Sequence, residues 1–213
     1  MIYASNKKGD KVKARPNLIC YCPMCNEKLI PKCGDINMWH WSHKGDNDCD
    51  SWGEGETFWH LKWKSLVKTN FCEVKIKRKE QTHIADIFNG IFFIELQNSP
   101  ISTNEIADRE VFYNNLIWLF NAEEFKDNVM FRGKKTIDEL GWRHYKIDGS
   151  GYRSFRWKYP RKIHGFVSKN LFWDLGDDIF HVKMLNTETP AGGWGYILTK
   201  EEFINIYLKK VLK

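Results

Sequence analysis

No apolar run in the chain approaches the roughly 20 residues that a membrane-crossing helix requires. The start, MIYASNKKGDK, lacks the apolar centre of a signal peptide. These absences predict a cytoplasmic protein with no membrane partner. Internal repeats and low-complexity segments are also missing, so a solenoid or a biased linker is not expected. Cysteine is sparse, six in 213 residues, and none follows Cys72. In a reducing compartment this crowding of Cys20, Cys22, Cys25, Cys33, Cys49 and Cys72 favours metal ligation over a disulfide framework.

The residues present read as globular: 42% hydrophobic, 15% aromatic and 28% charged residues leave no room for wholesale disorder. The length suits one sizeable domain with an appended module, or two small domains. A net charge of +6 permits an anionic partner without requiring one.

Residues 18–50 read as a compact module of short strands and turns, with Lys28–Pro31 and Ile36–Trp41 as hairpin strands and Gly45–Gly55 as a loop. Within it, Cys22 and Cys25 form a CxxC pair, and His40 and His43 follow with fourteen residues between the pairs. Two thiolates and two imidazoles make a tetrahedral zinc set, closed to substrate and therefore structural. The HxxH spacing is short for a zinc finger, so Cys20, Cys33 and Cys49 stand as substitute ligands. Trp39, Trp41 and Trp52 are expected to cover the site.

Glu56–Thr69 has helical periodicity and sets Glu56, His60 and Lys64 four apart on one face. Strands are expected at Phe71–Lys79, Thr82–Phe88 and Gly90–Gln97, the last two joined at Asn89-Gly90, a strong hairpin signal. Asp86 and Glu95 then lie on neighbouring strands, with Gln97 on the same side as Glu95. Carboxylates in such apolar strands are costly unless paired, and their geometry suits a divalent cation. A helix at Thr103–Tyr113 and a buried strand at Asn115–Phe120 complete a mixed sheet flanked by helices, an α/β (α+β mixed) class.

The order CxxC, HxxH, Glu56-xxx-His60-xxx-Lys64, His83-Ile84-Ala85-Asp86, Ile94-Glu95-Leu96-Gln97, Ser99-Pro100-Ile101-Ser102 resembles the CoiA-like competence-protein family of the PD-(D/E)XK nuclease superfamily. The resemblance covers about residues 18–120. It implies a restriction-endonuclease-like core that processes DNA, single-stranded or branched, during uptake and recombination. By position it implies that Asp86 and Glu95 hold Mg²⁺ or Mn²⁺, that Glu56 is the acid of the first core helix, and that His60 and Lys64 are polar site residues. Gln97 stands where the superfamily usually has lysine. A neutral amide orients but carries no charge, so Lys64 is the candidate to replace it. An inserted Ile84 breaks the family's Arg-Ala-Asp pattern, and His83 receives no role.

Lys75, Lys77 and Lys79 alternate along one strand and could track phosphates or simply face solvent. Arg109 is a weaker candidate for substrate contact. Residues 130–213 interleave arginines and lysines with aromatics, compatible either with single-strand binding or with an ordinary basic β-rich domain. There the sequence predicts strands at Ser154–Tyr159 and Gly195–Leu198, a hairpin over Leu171–Met184 and a terminal helix at Lys200–Leu212. Three modules are expected: zinc-binding 1–54, nuclease-like 55–130 and β-rich 131–213. The expected function is a metal-dependent DNA nuclease. The alternatives are a non-catalytic DNA-binding recombination mediator or a nuclease effector in anti-phage defence.

Overall fold

The computed structural model describes every residue except 36–37, 46–48, 54, 138–142 and 187–189. The first two positions of the expected Ile36–Trp41 strand, and residues 46–48 and 54 of the expected loop, lie outside the described residues. The chain forms two compact units, Met1–Glu95 with Lys210–Lys213, and Leu96–Lys209. No helix among the described residues is long and apolar enough to cross a membrane.

The first unit opens with five short strands: β1 (Tyr3–Ser5), β2 (Lys11–Lys13), β3 (Cys20–Tyr21), β4 (Lys28–Lys32) and β5 (His40–Ser42). They form an antiparallel sheet in the order β2-β1-β3-β4-β5. Its buried cluster is small: Ala4, Ala14, Cys20, Cys22, Leu29 and Trp41. Such a core cannot hold five strands unaided, and polar contacts tie it to the rest of the unit. Glu73 accepts from the amides of Ile2 and Tyr3 at 2.7 and 2.8 Å. Lys75 Nζ donates to the Pro23 carbonyl at 2.7 Å, and Lys11 Nζ to the carbonyls of Cys72 and Glu73. The expected 1–54 module is therefore knitted into the same unit as α1 (Phe58–Leu66), β6 (Cys72–Arg78) and β7 (Gln81–Phe88). The strand β8 (Phe93–Gln97) begins in this unit. The β7–β8 connection is the Asn89-Gly90 turn: Asn89 Oδ1 accepts from the amides of Ile91 and Phe92 at 2.8 and 2.7 Å, and Gly90 adopts φ 92°.

The second unit contains α2 (Thr103–Tyr113), β9 (Leu116–Asn121), β10 (Val129–Arg132), β11 (Lys134–Ile137) and β12 (Arg143–Lys146). It continues through β13 (Tyr152–Trp157), β14 (Asn170–Asp174), β15 (Asp178–Leu185), β16 (Gly192–Thr199) and α3 (Lys200–Tyr207). Side-chain caps start both helices: Ser102 accepts from the Glu105 amide, and Thr199 and Glu202 form a reciprocal capping box. The sheet order is β10-β13-β16-β15-β14-β9, parallel at β14–β9 and antiparallel elsewhere, while β11 and β12 form a separate ribbon. Phe155, Trp157, Trp173 and Phe180 pack in its core with Phe125 and His164, mostly edge to face, with Phe125 stacked on Trp157. Gly193 and Gly195 are required there. A Cβ at Gly193 would meet the Met184 carbonyl oxygen at 2.0 Å, and one at Gly195 the His181 carbonyl oxygen at 2.1 Å. The fold is thus mixed α+β, with a large mixed sheet and three α-helices among the described residues.

Candidate functional site

The helix α1 starts later than its periodicity predicts. Thr57 is the N-cap: its Oγ1 accepts from the His60 amide, and the His60 ring nitrogen Nδ1 accepts from the Thr57 amide at 3.2 Å. This reciprocal cap ends the helix at Thr57, so Glu56 lies just before α1 and not on its face. His60 is buried, and its Nδ1 serves the cap of the helix.

Lys64 is not a surface lysine. Its side chain is 2% exposed, and its ammonium lies 2.6 Å from Glu56 Oε1, 2.7 Å from Asp86 Oδ1 and 3.3 Å from Glu73 Oε1. The sheet explains the convergence. Pairing of Cys72 with Ile87 and Val74 with Ala85 sets Glu73 opposite Asp86, and pairing of Ile87 with Ile94 sets Asp86 opposite Glu95. Glu73, Asp86 and Glu95 thus form one cross-strand row, and the Asp86 amide approaches Glu95 Oε1 at 3.4 Å. Like charges side by side in a sheet repel; Lys64 supplies the opposing charge. Glu73 is the member the sequence does not reveal. In alternation with Lys75 and Lys77 it reads as solvated, yet it is buried and held at φ 45°, a left-handed conformation offset by its ion pair and two backbone amides.

Gln97 is also buried, two residues beyond Glu95, and its amide donates to the Ser99 carbonyl at 2.8 Å. The Asp86 side chain is 21% exposed, against 8% for Glu56 and 4% for Glu73. Asp86 is therefore the most open of these three acids.

Burial drives the electrostatics. It pushes the Glu56 carboxyl up to about 7, against the pull of Lys64 and with the neighbouring Glu73 and Asp86 charges adding to the rise. Glu56 Oε2 is buried with no hydrogen-bond partner among the described residues, where a proton can sit. For Glu73 burial acts upward too, but Lys64 and the Ile2 amide outweigh it and bring it down to about 2. Lys64 is held well above its ordinary range: Asp86, Glu56 and Glu73 overcome the downward effect of burial. These shifts set a stability profile. The raised Glu56 carboxyl binds a proton in the folded chain that the unfolded chain, with a value near 4.5, has released. Its contribution is complete below 4.5 and is lost as pH rises through 7, by roughly 3 kcal/mol. Urea unfolding from pH 5 to pH 8 should show this loss in the native chain, and Glu56→Gln should flatten it. An unchanged slope in Glu56→Gln counts against the assignment.

The second constellation is Cys22, Cys25, His43 and Cys49, whose ligand atoms all lie within 4.8 Å of one another. Cys22 Sγ and Cys49 Sγ are 3.4 Å apart, Cys25 Sγ and His43 Nε2 3.4 Å, Cys49 Sγ and His43 Nε2 3.5 Å. A zinc tetrahedron with bonds of about 2.3 Å to sulfur has edges of roughly 3.8 Å, so the set fits zinc. The fourth member is Cys49 and not His40. His40 sits on β5 with Nδ1 at 2.7 Å from the Met38 carbonyl, and its ring does not join the four converging ligand atoms. Cys49 is one of the substitutes that the spacing leaves open. It is the one such group among the described residues; the carboxylates around Lys64 do not converge as tightly.

Beside Cys49, Asp50 Oδ1 lies 2.9 Å from His83 Nδ1, Asp50 Oδ2 accepts from the Ile84 amide at 2.9 Å, and Trp52 stacks on His83. His83 thus has a place after all, as the strand's anchor for the cysteine loop. Trp41 is buried under the first sheet, whereas Trp39 is about half exposed. Lys75 is used on the CxxC turn and Lys79 lies beyond β6 at φ 52°, so the expected row of three lysines does not exist. Arg109 is buried, paired with Glu105 and packed over Trp118, a structural role. Asp174 accepts from the Gly176 amide in the β14–β15 turn.

Residues 4–51 match the family model for the N-terminal domain of competence protein CoiA. The chain carries a CoiA-like N-terminal domain. The match contains Cys22, Cys25, His43, Cys49 and Asp50, and it ends before Glu56. No curated protein and no solved structure matches the chain.

Proposed function

We propose that the chain is a divalent-metal-dependent DNA nuclease whose CoiA-like domain is held by a structural zinc. The observation that carries this reading is the row Glu73, Asp86, Glu95 with the Lys64 ammonium 2.7 Å from Asp86. Asp86 and Glu95 are the oxygen donors suited to Mg²⁺ or Mn²⁺, which binds through one or two carboxylates and keeps waters and substrate phosphate. When bound, such an ion activates water and neutralises charge on the phosphodiester. The remaining work falls to the chain. Lys64 takes over the electrostatic place left by Gln97 and orients Asp86, Glu73 holds Lys64, and Glu56 closes the pocket with a carboxyl that carries a proton near neutrality. The PD-(D/E)XK assignment and the DNA substrate are part of the same proposal.

Gln97, turned to the Ser99 carbonyl, favours a second reading: a degenerate core that binds DNA without cleaving it. Labelled single-stranded, duplex, flap and junction DNA, titrated with Mg²⁺ or Mn²⁺, separates the two. Cleavage that falls roughly 100-fold or more in both Asp86→Ala and Glu95→Ala, with unchanged circular dichroism, is the expected result. Cleavage persisting in both variants would remove these residues from the site; DNA bound but never cut selects the second reading.

A further inference from the structure

One face of the second unit's sheet has a composition that neither site explains. Pairing across four strands aligns Arg132 of β10, Ser154 of β13, Trp194 of β16 and Met184 of β15 in one row. The flanking rows are Met130, Arg156, Gly192 and Tyr152, Tyr196, His181. Side chains in these rows share a face, and the rows are roughly 7 Å apart. They hold two arginines and three half-buried aromatic rings with no carboxylate. The opposite face is the Phe155, Trp157, Phe180 core.

These rows are already arranged for flat ligands. Tyr152 and Trp194 lie near parallel at 5.8 Å, Tyr196 stands edge-on to both, and the Arg132 guanidinium lies 5.0 Å over the Tyr145 ring. Two hollows open on this face, about 550 Å³ beside Tyr152, Met184 and Trp194, and about 370 Å³ beside Arg132, Tyr145 and Arg156. They share Ser154, Asn186 and Gly192, and the missing side chain at Gly192 leaves the ground between them open. Among the described residues neither Arg132 nor Arg156 is in an ion pair. Protein surfaces ordinarily mix both signs of charge. A face whose described residues offer arginine and ring planes and no acid is complementary to a strand of phosphates and unstacked bases.

We infer that this face of β10, β13, β16 and β15 binds single-stranded DNA, with bases on Tyr152 and Trp194 and phosphates at Arg132 and Arg156. Duplex DNA does not fit, because its bases are already stacked on each other and offer no free planes. The inference rests on the nuclease proposal only for the choice of DNA over RNA; the surface itself stands on its own geometry.

Anisotropy of a fluorescent dT oligonucleotide, without added divalent cation, tests it on the full chain. Trp194→Ala should weaken binding about tenfold, the lower part of the range for one stacked base. Because Trp194 is half-buried, Arg132→Gln with Arg156→Gln provides a variant that leaves the rings in place. It should reduce the salt dependence, log affinity against log salt, by roughly 1.4, two single-strand phosphates. A salt slope and affinity unchanged in the arginine variant overturn the inference. So does tighter binding to a duplex or to an rU oligonucleotide than to dT. Mg²⁺-dependent cleavage by the native chain, with dT anisotropy unmoved by the arginine and Trp194 changes, fails this inference alone; dT binding that those changes weaken, in a chain that never cuts, fails the nuclease proposal alone.

Discussion

Lys64→Met lowers the stability of the folded chain by about 3–5 kcal/mol at neutral pH, the usual cost of removing one partner from a buried ion pair. The ammonium is 2% exposed and touches Glu56, Glu73 and Asp86. Without it, Glu73 and Asp86 lose a close opposing charge, Glu73 keeps the weaker pull of the N-terminal ammonium and Lys11, and Glu56 is pushed further toward its neutral form. Glu73 suffers most: its carboxyl lies at about 2 because of Lys64, and it also holds the Ile2 and Tyr3 amides. The loss should therefore spread to the first sheet. Urea unfolding at pH 7 measures it, and Asp86→Asn in the Lys64→Met background should recover part of the loss by deleting one of the uncompensated charges, whereas Glu56, already drawn toward its neutral form, should recover little when changed to Gln. A change under about 1 kcal/mol would put Lys64 in solvent and dissolve the site as described.

The local signals in the sequence are strong where they depend on neighbours. Thr103–Tyr113 is the α2 helix to the residue, because Ser102 caps it and Asn114, at φ 61°, ends it. The Asn89-Gly90 turn is legible for the same reason, since Asn89 Oδ1 accepts from the amides two and three residues on. The β14–β15 hairpin follows from Gly176 at φ 108°. The failures are decided at long range. Glu73 looks like one more polar residue on an alternating strand; its burial comes from the amides of Ile2 and Tyr3, about 70 positions away. The choice of Cys49 over His40 depends on where a loop returns, and no spacing rule contains that. Even the misplaced helix start has a local cause seen only in atoms: the His60 ring, at capping-box position three, does what a glutamate or glutamine usually does. The carboxylates Asp86 and Glu95 were legible because a hairpin fixes their register once the turn is known.

Purified native chain should carry about one zinc ion, and Cys49→Ser should lose it while His40→Ala keeps it. The contrast follows from placement. Cys49 Sγ lies 3.4 Å from Cys22 Sγ and 3.5 Å from His43 Nε2, whereas His40 lies outside the group of converging ligand atoms. Burial pushes the Cys22 and Cys49 thiols up, Cys49 further because its sulfur neighbours oppose a second negative charge. Only a cation makes three such thiolates compatible in one small space, so metal loss and proton uptake go together. The consequence reaches past the cysteines. Cys49 and Asp50 are adjacent, and Asp50 holds His83 and the Ile84 amide on β7, the strand that carries Asp86. Zinc chelation should thus destabilise the first unit by several kcal/mol. It should also expose the amides of β7 near Ile84 to hydrogen exchange. Asp50→Ala gives the second effect without the first, since it cuts the tie and leaves all four ligands. If Asp50→Ala leaves exchange at Ile84 as slow as in the native chain, the link from the metal centre to the acidic row is absent. If His40→Ala sheds zinc and Cys49→Ser retains it, the ligand set is the one with two histidines.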